Sequence, residues 1–212
     1  MIAVDWVAVS AIITAGATLV LAFATFASVR SANRAARAAE RSLLAGLRPL
    51  LAPSRLDDAP QKVGFSDDKW FLVPGGCGIA EVADAVVYFA IAVRNVGSGI
   101  AVLHGWRLAL DVQQGLAEHP PVEDFRRLTR DLYIAPSEVG FWQGAFRDPA
   151  EPAFAEARAA VEAPQRIGID VLYGDHELGQ RSITRLLITP RDDGRWIASV
   201  ARHWNVDRPD PR

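Results

Sequence analysis

The chain has 212 residues, of which half are hydrophobic and 23% are charged, and its formal net charge is −2. This composition allows one ordinary domain with an extension and excludes a wholly disordered chain. Five arginines up to Arg48 stand against Asp5 and Glu40, which leaves +3 there and −5 in the remainder. An acidic globular part has no electrostatic footprint for nucleic acid, so we expect no such partner.

The first predicted element is an uncharged run of 23 residues that begins at Val7 and ends at Val29. As a helix with a rise of 1.5 Å per residue, the run extends roughly 35 Å, which is enough to cross a hydrocarbon core of about 30 Å. We therefore predict a transmembrane signal anchor over residues 1–29, with the lipid bilayer as its partner.

Two other interpretations of the run stay open. It could be a buried helix of a globular domain, or a cleaved signal peptide, since AFATFAS has small residues at a suitable spacing. A signal peptide begins with a positively charged region, however, and the residues here are MIAVD. The arginines directly after the run also oppose translocation, so the anchor is the favoured interpretation.

The basic residues close to the run all lie on its C-terminal side: Arg30, Arg34, Arg37 and Arg41. Lys and Arg near a membrane span are retained on the cytoplasmic side. The sequence therefore predicts a single-pass protein of the cell membrane, with its N-terminus outside and its C-terminal domain in the cytoplasm.

A helical stalk follows the anchor, since the first strong helix stops after Ser28 are Gly46 and Pro49. We predict this basic, Ala-rich stalk over residues 30–48. At 100° per residue its arginines fall within about 60° of one another: Arg30, Arg34, Arg37, Arg41 and Arg48. The stripe could bind anionic lipid headgroups. It could also be a solvated face that only sets topology.

The opposite face of the stalk carries small side chains. They recur every three or four residues, a spacing that suits close approach of two helices. A homo-oligomer formed through the helix is therefore one hypothesis, and packing of this face on the globular part is the other. The candidate contacts are Ala32, Ala35, Ala39 and Leu43.

From Pro49 onward, the hydrophobic pattern changes to short apolar or alternating runs. Turn signals separate them at residues 74–76, 95–99, 174–179 and 191–194. Seven such runs occur, at residues 69–73, 85–97, 99–112, 138–146, 166–173, 182–189 and 195–204. They predict a mainly β fold, an antiparallel Ig-like β-sandwich over residues 49–205, followed by a polar tail over 206–212.

One of these runs shows the expected alternation clearly. Its odd-numbered apolar residues mark one buried strand face, namely Val87, Phe89, Ile91 and Val93. Tyr88 and Arg94 lie on the other face.

Two short helices are predicted as insertions in the sandwich. The first is PPVEDFRRLTRDL at residues 120–132, which has an acidic first turn and apolar Phe125, Leu128 and Leu132 at helical spacing. The second is EPAFAEARAAVEA at residues 151–163, which begins with Pro and places Phe154, Ala157 and Val161 together.

Four residues are candidates for a chemical site. Asp175, His176 and Glu177 lie in a predicted turn, and His203 lies on the last strand; together they could bind a metal or form an acid–base pair. GDHELG is also an ordinary polar turn, so we expect neither a metal nor a cofactor.

Cysteine and tryptophan are two further residue types that could form a site. The only cysteine, Cys77, lies in the Gly-rich stretch PGGCGIA, for which we expect an accessible loop without phosphate-loop chemistry. Three tryptophans could line a groove, but at strand positions they are more typical of core packing: Trp142, Trp196 and Trp204.

Three stretches resemble known proteins. RNVGSGIAVLHGW at residues 94–106 is similar to the strand–turn–strand of Ig-like sandwich modules in bacterial surface proteins, in which an Asn and glycines shape the turn. LTRDLYIAPSEVGFWQGAFRDP and RHWNVDRPDPR resemble a group of uncharacterised bacterial proteins with one N-terminal membrane helix. The resemblance brings no activity with it. Ig-like modules are commonly extracytoplasmic, and we follow the arginines instead because a fold does not dictate a compartment.

Three hypotheses for function result. The first is a membrane-tethered, non-enzymatic interaction or scaffold module on the cytoplasmic face, with an unknown protein partner. The second is an exported sandwich that binds envelope or extracellular ligands. The third is a metal-dependent hydrolase that uses His176 and His203, which requires these side chains to converge in one pocket.

Overall fold

The computed structural model describes residues 5–111, 118–177 and 179–208. Its helices are α1 (Trp6–Gly46) and α2 (Pro152–Glu162), with a turn of 3-10 helix at Val122–Asp124. Its strands are β1 (Leu51–Pro53), β2 (Gln61–Gly64), β3 (Trp70–Val73), β4 (Cys77–Ala83), β5 (Val86–Asn95), β6 (Ala101–Ala109), β7 (Arg126–Ile134), β8 (Val139–Phe146), β9 (Ile167–Gly174), β10 (Ser182–Pro190) and β11 (Trp196–Asn205). The fold is thus mainly β with a long apolar helix near its N-terminus, as the sequence predicts.

The chain divides into two compact units, Met1–Gly46 and Leu47–Arg212. The described part of the first unit consists of α1 and the residue before it. Asp5 caps this helix, because its carboxylate accepts a hydrogen bond from the Val7 backbone N–H at 3.1 Å. The helix ends at Gly46, one of the two predicted stops.

The second unit is built on one antiparallel sheet of nine strands. Neighbouring strands follow the order β1–β5–β4–β11–β10–β9–β6–β7, and β8 pairs with the remaining edge of β5. β2 and β3 form a separate hairpin. All seven predicted runs are strands of the sheet or the hairpin, namely β3, β5, β6 and β8 to β11.

The sheet curls so that its two halves face each other across one core. From β5 this core takes Val87, Phe89, Ile91 and Val93, which confirms the predicted buried face. From the opposite half it takes the inward residues of β9 and β10, including Tyr173 and Leu186. The packing of two sheet halves is that of a sandwich, although hydrogen bonds between β4 and β11 join the halves into one sheet.

The other face of β5 is also covered. The β2–β3 hairpin lies over it. Phe65 packs edge-on against Tyr88 at a centroid distance of 4.9 Å, and the ring of Phe71 is tilted against Tyr88 at 5.5 Å. Burial on both faces explains why this strand is almost continuously apolar in the sequence. Arg94, predicted on this face, forms an ion pair with Asp58 at the end of the strand.

The prediction of a helix at residues 120–132 is wrong. Only one 3-10 turn forms, and Phe125 has extended backbone angles (φ −84°, ψ 128°) that end it. The next nine residues form β7, which pairs with β6. Phe125 packs with Trp204 on the outer face, whereas Leu128 and Leu132 pack against the main core, so their helical spacing was coincidental.

The second predicted helix is confirmed as α2. Pro152 occupies its first turn, and Phe154, Ala157 and Ala160 are buried against the main core. Val161, predicted on the same face, is half-buried against that core.

The predicted polar tail is described as far as Arg208, and residues 209–212 lie outside the described residues. Its first part is tied to the sheet. The Val206 backbone N–H donates to the Arg181 carbonyl at 3.1 Å, and the Asp207 carboxylate accepts from the Arg181 guanidinium at 2.7 Å.

Candidate functional site

The surface of α1 is the strongest candidate for a functional surface. Over Val9–Glu40 the helix is long and apolar enough to cross a membrane, and its apolar segment is exposed on all sides. Large apolar side chains such as Leu19 and Phe23 are 72% and 75% exposed. Soluble proteins rarely expose a continuous apolar surface of this size, and such a surface is typical of a segment that contacts lipid or another protein.

Four hydroxyl groups within the uncharged run are satisfied inside the helix. Thr14, Thr18 and Thr25 each donate a hydrogen bond of 2.8–2.9 Å to the carbonyl four residues earlier, and Ser10 donates to the Val7 carbonyl. Polar groups in a bilayer need such internal partners because the hydrocarbon offers none. The part of the run that contains these four side chains therefore has a chemistry that is compatible with lipid.

The basic stripe lies directly after this segment. Arg30, Arg34 and Arg37 are exposed on α1, and Arg41 lies on the same helix. Its predicted fifth member does not belong to it, because α1 ends at Gly46 and Arg48 lies in the β unit. There the Arg48 guanidinium donates to Ser182 Oγ at 2.8 Å and to Asn205 Oδ1.

The small-residue face predicted for self-association is exposed along α1: Ala32, Ala35, Ala39 and Leu43. A single chain does not test whether two helices associate through it. The homo-oligomer therefore stays a prediction.

The segment that leads into the β unit is held by the turn after β5. The Asn95 side-chain amide donates to the Gly99 and Ile134 carbonyls at 2.6 and 3.0 Å, and its oxygen accepts from the Leu50 backbone N–H at 3.2 Å. A Cβ on Gly99 would lie 1.7 Å from the Leu47 carbonyl oxygen, so only glycine fits there. The Asn and glycines of RNVGSG thus shape the turn, as expected, and also hold residues 47–50.

The weak chemical candidates are engaged in local structure. Asp175 is buried, and its carboxylate accepts from the Gly179 backbone N–H at 2.8 Å and from the Gln180 side chain at 3.3 Å. His176 and Glu177 are exposed, 3.9 Å apart. His203 Nδ1 is 2.7 Å from Thr184 Oγ1 on β10. Within residues 5–111, 118–177 and 179–208, no three His, Cys, Asp or Glu side chains form a group suited to a metal ion.

Cys77 is not in an accessible loop. It begins β4, is 2% exposed, and burial raises the pKa of its thiol, which makes it a poor nucleophile. The three tryptophans considered for a groove are buried: Trp142, Trp196 and Trp204.

Sequence reasoning missed a buried ion pair on the outer face of β9 and β10. The Asp170 carboxylate is fully buried and accepts from Arg185 Nε and Nη2 at 2.6 and 2.8 Å, while Arg107 Nε lies 3.4 Å away. The Arg185 guanidinium also lies 5.2 Å from the centroid of the Trp204 ring. The available signal was one charged residue at the centre of each of two apolar runs, Asp170 in IGIDVLY and Arg185 in SITRLLIT.

His104 on β6 was also missed. Its Nε2 is buried and has no hydrogen-bond partner among the described residues. Burial, and then the charge of Arg181, lower the pKa of its imidazole, so the ring is neutral at neutral pH. It has no role in the sites considered above.

No protein-family model, curated protein or solved structure matches this chain. The resemblances stated from the sequence therefore stay predictions. The function has to be inferred from α1, the basic stripe and the surface of the β unit.

Proposed function

We propose that this chain is a single-pass membrane protein whose β unit acts as an interaction or scaffold module on the cytoplasmic face. The anchor supplies the location, and the β unit supplies the contacts with a protein partner. The observation that supports this most directly is the exposure of α1 on all sides between Val9 and Glu40.

The proposed orientation rests on the arginines. The basic residues close to the uncharged run all come after it in the sequence. Because such residues are retained on the cytoplasmic side, the β unit would lie inside the cell. Anionic headgroups would add about 1 kcal/mol for each Arg close to the surface, which favours Arg30 and Arg34 as lipid contacts.

A binding role is proposed rather than a catalytic one because the candidate acid–base groups already serve the fold. The Asp175 carboxylate closes its own turn, and His203 is bound to Thr184. A hydrolase would need these groups to be free to face a substrate.

The proposal is tested by placing charge inside the uncharged run. The double variant Leu19→Arg/Phe23→Arg should shift the chain from the alkali-washed membrane pellet to the soluble or aggregated fraction. Two arginines near the centre of a span oppose insertion by about 5–7 kcal/mol. The matched control, Ala32→Arg/Ala36→Arg, adds the same charge at the same spacing outside the run and should remain in the pellet.

Two results would contradict the anchor. One is a wild-type chain that leaves the membrane on alkali washing. The other is a Leu19→Arg/Phe23→Arg variant that stays in the pellet as firmly as the control.

A further inference from the structure

Two strands of the nine-stranded sheet that each have an open edge, β7 and β8, lie next to each other. Among the residues that the structure describes, β7 pairs only with β6 and β8 pairs only with β5, so no backbone ladder there joins β7 to β8. The turn at residues 135–138 connects these strands, and next to it Ile134 packs closely on Gly140. We call the gap between the two strands the β7–β8 seam.

The seam opens away from this turn into a cleft. The cleft has a volume of about 190 Å³ and is lined by residues 126–129 of β7 and 143–145 of β8. Arg130 crosses the seam beside it and donates to Gln143 Oε1 at 2.8 Å and to the Gly64 carbonyl at 2.7 Å. Unpaired strand edges of this kind can accept an additional strand.

The cleft is basic although the β unit is acidic. Its lining includes Arg126, Arg127 and Arg147 with one acidic residue, Glu151. Arg126 pairs with Glu151, and Arg147 lies 3.2 Å from Asp67. Arg127 is exposed and has no ion pair within the described ranges, and Arg130 donates only to neutral acceptors.

Aromatic rings hold the basic wall in place. The guanidinium of Arg126 lies 5.3 Å from the centroid of the Trp106 ring and 4.6 Å from that of Phe146. Such stacking favours a fixed cation over a flexible one. These contacts fix Arg126, which pairs with Glu151, in the wall of the cleft that also carries Arg127.

We propose that the β7–β8 seam binds an extended peptide segment with acidic side chains. The segment pairs its backbone with β7 beside the cleft, where the described residues 128–131 have no partner on β6, and its carboxylates contact Arg127 and Arg130. Arginines on an edge strand also deter association with other edges. An acidic strand is the partner that this edge attracts. The inference rests on the proposed interaction module and names its binding surface and partner class.

The test uses the full chain reconstituted in nanodiscs of neutral phosphatidylcholine, so that it does not depend on where the protein resides in a cell. The probe is a fluorescein-labelled octapeptide of alternating Thr and Glu, and binding is followed by fluorescence anisotropy. We expect saturable binding that weakens as salt is raised from 50 to 200 mM, because the distance over which exposed charges are screened falls from roughly 14 Å to roughly 7 Å.

Two comparisons separate specific strand pairing from general attraction of charge. Arg127→Glu should weaken binding at least tenfold, whereas Arg158→Glu should change it less than twofold, because Arg158 lies on α2 and pairs with Glu162 away from the cleft. An octapeptide with N-methyl groups on alternate residues keeps its charge but loses backbone donors, and it should bind at least tenfold more weakly.

Three results would each overturn the inference. They are the absence of saturable binding, equal weakening by Arg127→Glu and Arg158→Glu, and full binding of the N-methylated peptide. A failure of membrane pelleting would count against the anchor alone, since reconstitution supplies the membrane here.

Discussion

The buried carboxylate of Asp170 depends on the basic side chains around it. It is fully buried on a strand that is otherwise apolar, and it is stabilised by two hydrogen bonds from Arg185 and by nearby Arg107. A buried ion pair adds little stability relative to apolar residues, but removing one partner leaves an uncompensated charge. The stability that Asp170 adds is therefore small, but its loss would leave the buried charge of Arg185 uncompensated.

We predict that Asp170→Asn lowers the free energy of unfolding by about 3–5 kcal/mol, because Arg185 would keep its charge in a buried site. The measurement is urea unfolding of the full chain in detergent, followed by the fluorescence of buried tryptophans such as Trp142. The control is Glu162→Gln, which breaks the exposed Arg158–Glu162 pair and should lower it by about 0.3–0.5 kcal/mol. Equal effects would show that Asp170 does not compensate Arg185.

At the scale of elements, local pattern and tertiary pairing decide different things. α2 forms where its Pro and its apolar spacing predict it, because both are properties of the helix itself. β7 shows the opposite case. Its apolar residues have helical spacing in the sequence, but β6 offers a strand to pair with, and the segment becomes extended.

The hairpin between β4 and β5 has a two-residue turn whose backbone conformation is unfavourable for one of its residues. Asp84 and Ala85 have φ angles of 50° and 62°, the left-handed conformation that a two-residue hairpin turn requires. Ala bears a steric penalty there that Gly does not. The turn geometry is thus kept at the expense of a strained residue.

We predict that Ala85→Gly raises the free energy of unfolding by about 1 kcal/mol, since it removes this steric penalty. The matched control is Ala83→Gly on the adjoining strand, which should lower it by about 0.5–1 kcal/mol because Gly weakens a strand. Both follow from the denaturation midpoints at unchanged slope. An unchanged midpoint for Ala85→Gly would mean that residue 85 does not adopt the left-handed conformation.

At the scale of the whole molecule, function depends on the side of the membrane on which the β unit lies. Cys77, the only native thiol, is buried and cannot report this from the folded chain. A reporter has to be placed at an exposed position. Ser66, in the turn between β2 and β3, is exposed and suits this purpose.

We predict that a Cys77→Ala/Ser66→Cys chain reacts with a membrane-impermeant maleimide only after cells are permeabilised, because the arginines retain the β unit inside. Cys77→Ala/Ala3→Cys, with its thiol before the span, should react in intact cells. The reverse pattern would support the exported module and contradict the cytoplasmic one.

Much of the candidate site could be predicted because it depends on local composition. An uncharged run followed by arginines is visible in the sequence, and so is the Asn–Gly turn that holds residues 47–50. The β7–β8 seam could not be predicted. Which strand edges stay open depends on the order of all nine strands, and that order comes from pairings between distant residues.

The sequence by itself determined the long apolar helix, the seven strand runs and the turns between them, because charge, periodicity and turn residues act over a few neighbouring positions. Only the tertiary structure decided that residues 126–134 form a strand, that Cys77 and Asp170 are buried, and that Arg48 belongs to the β unit. These outcomes depend on which surfaces meet when the chain folds, and the burial of one surface against another is a property of the whole molecule.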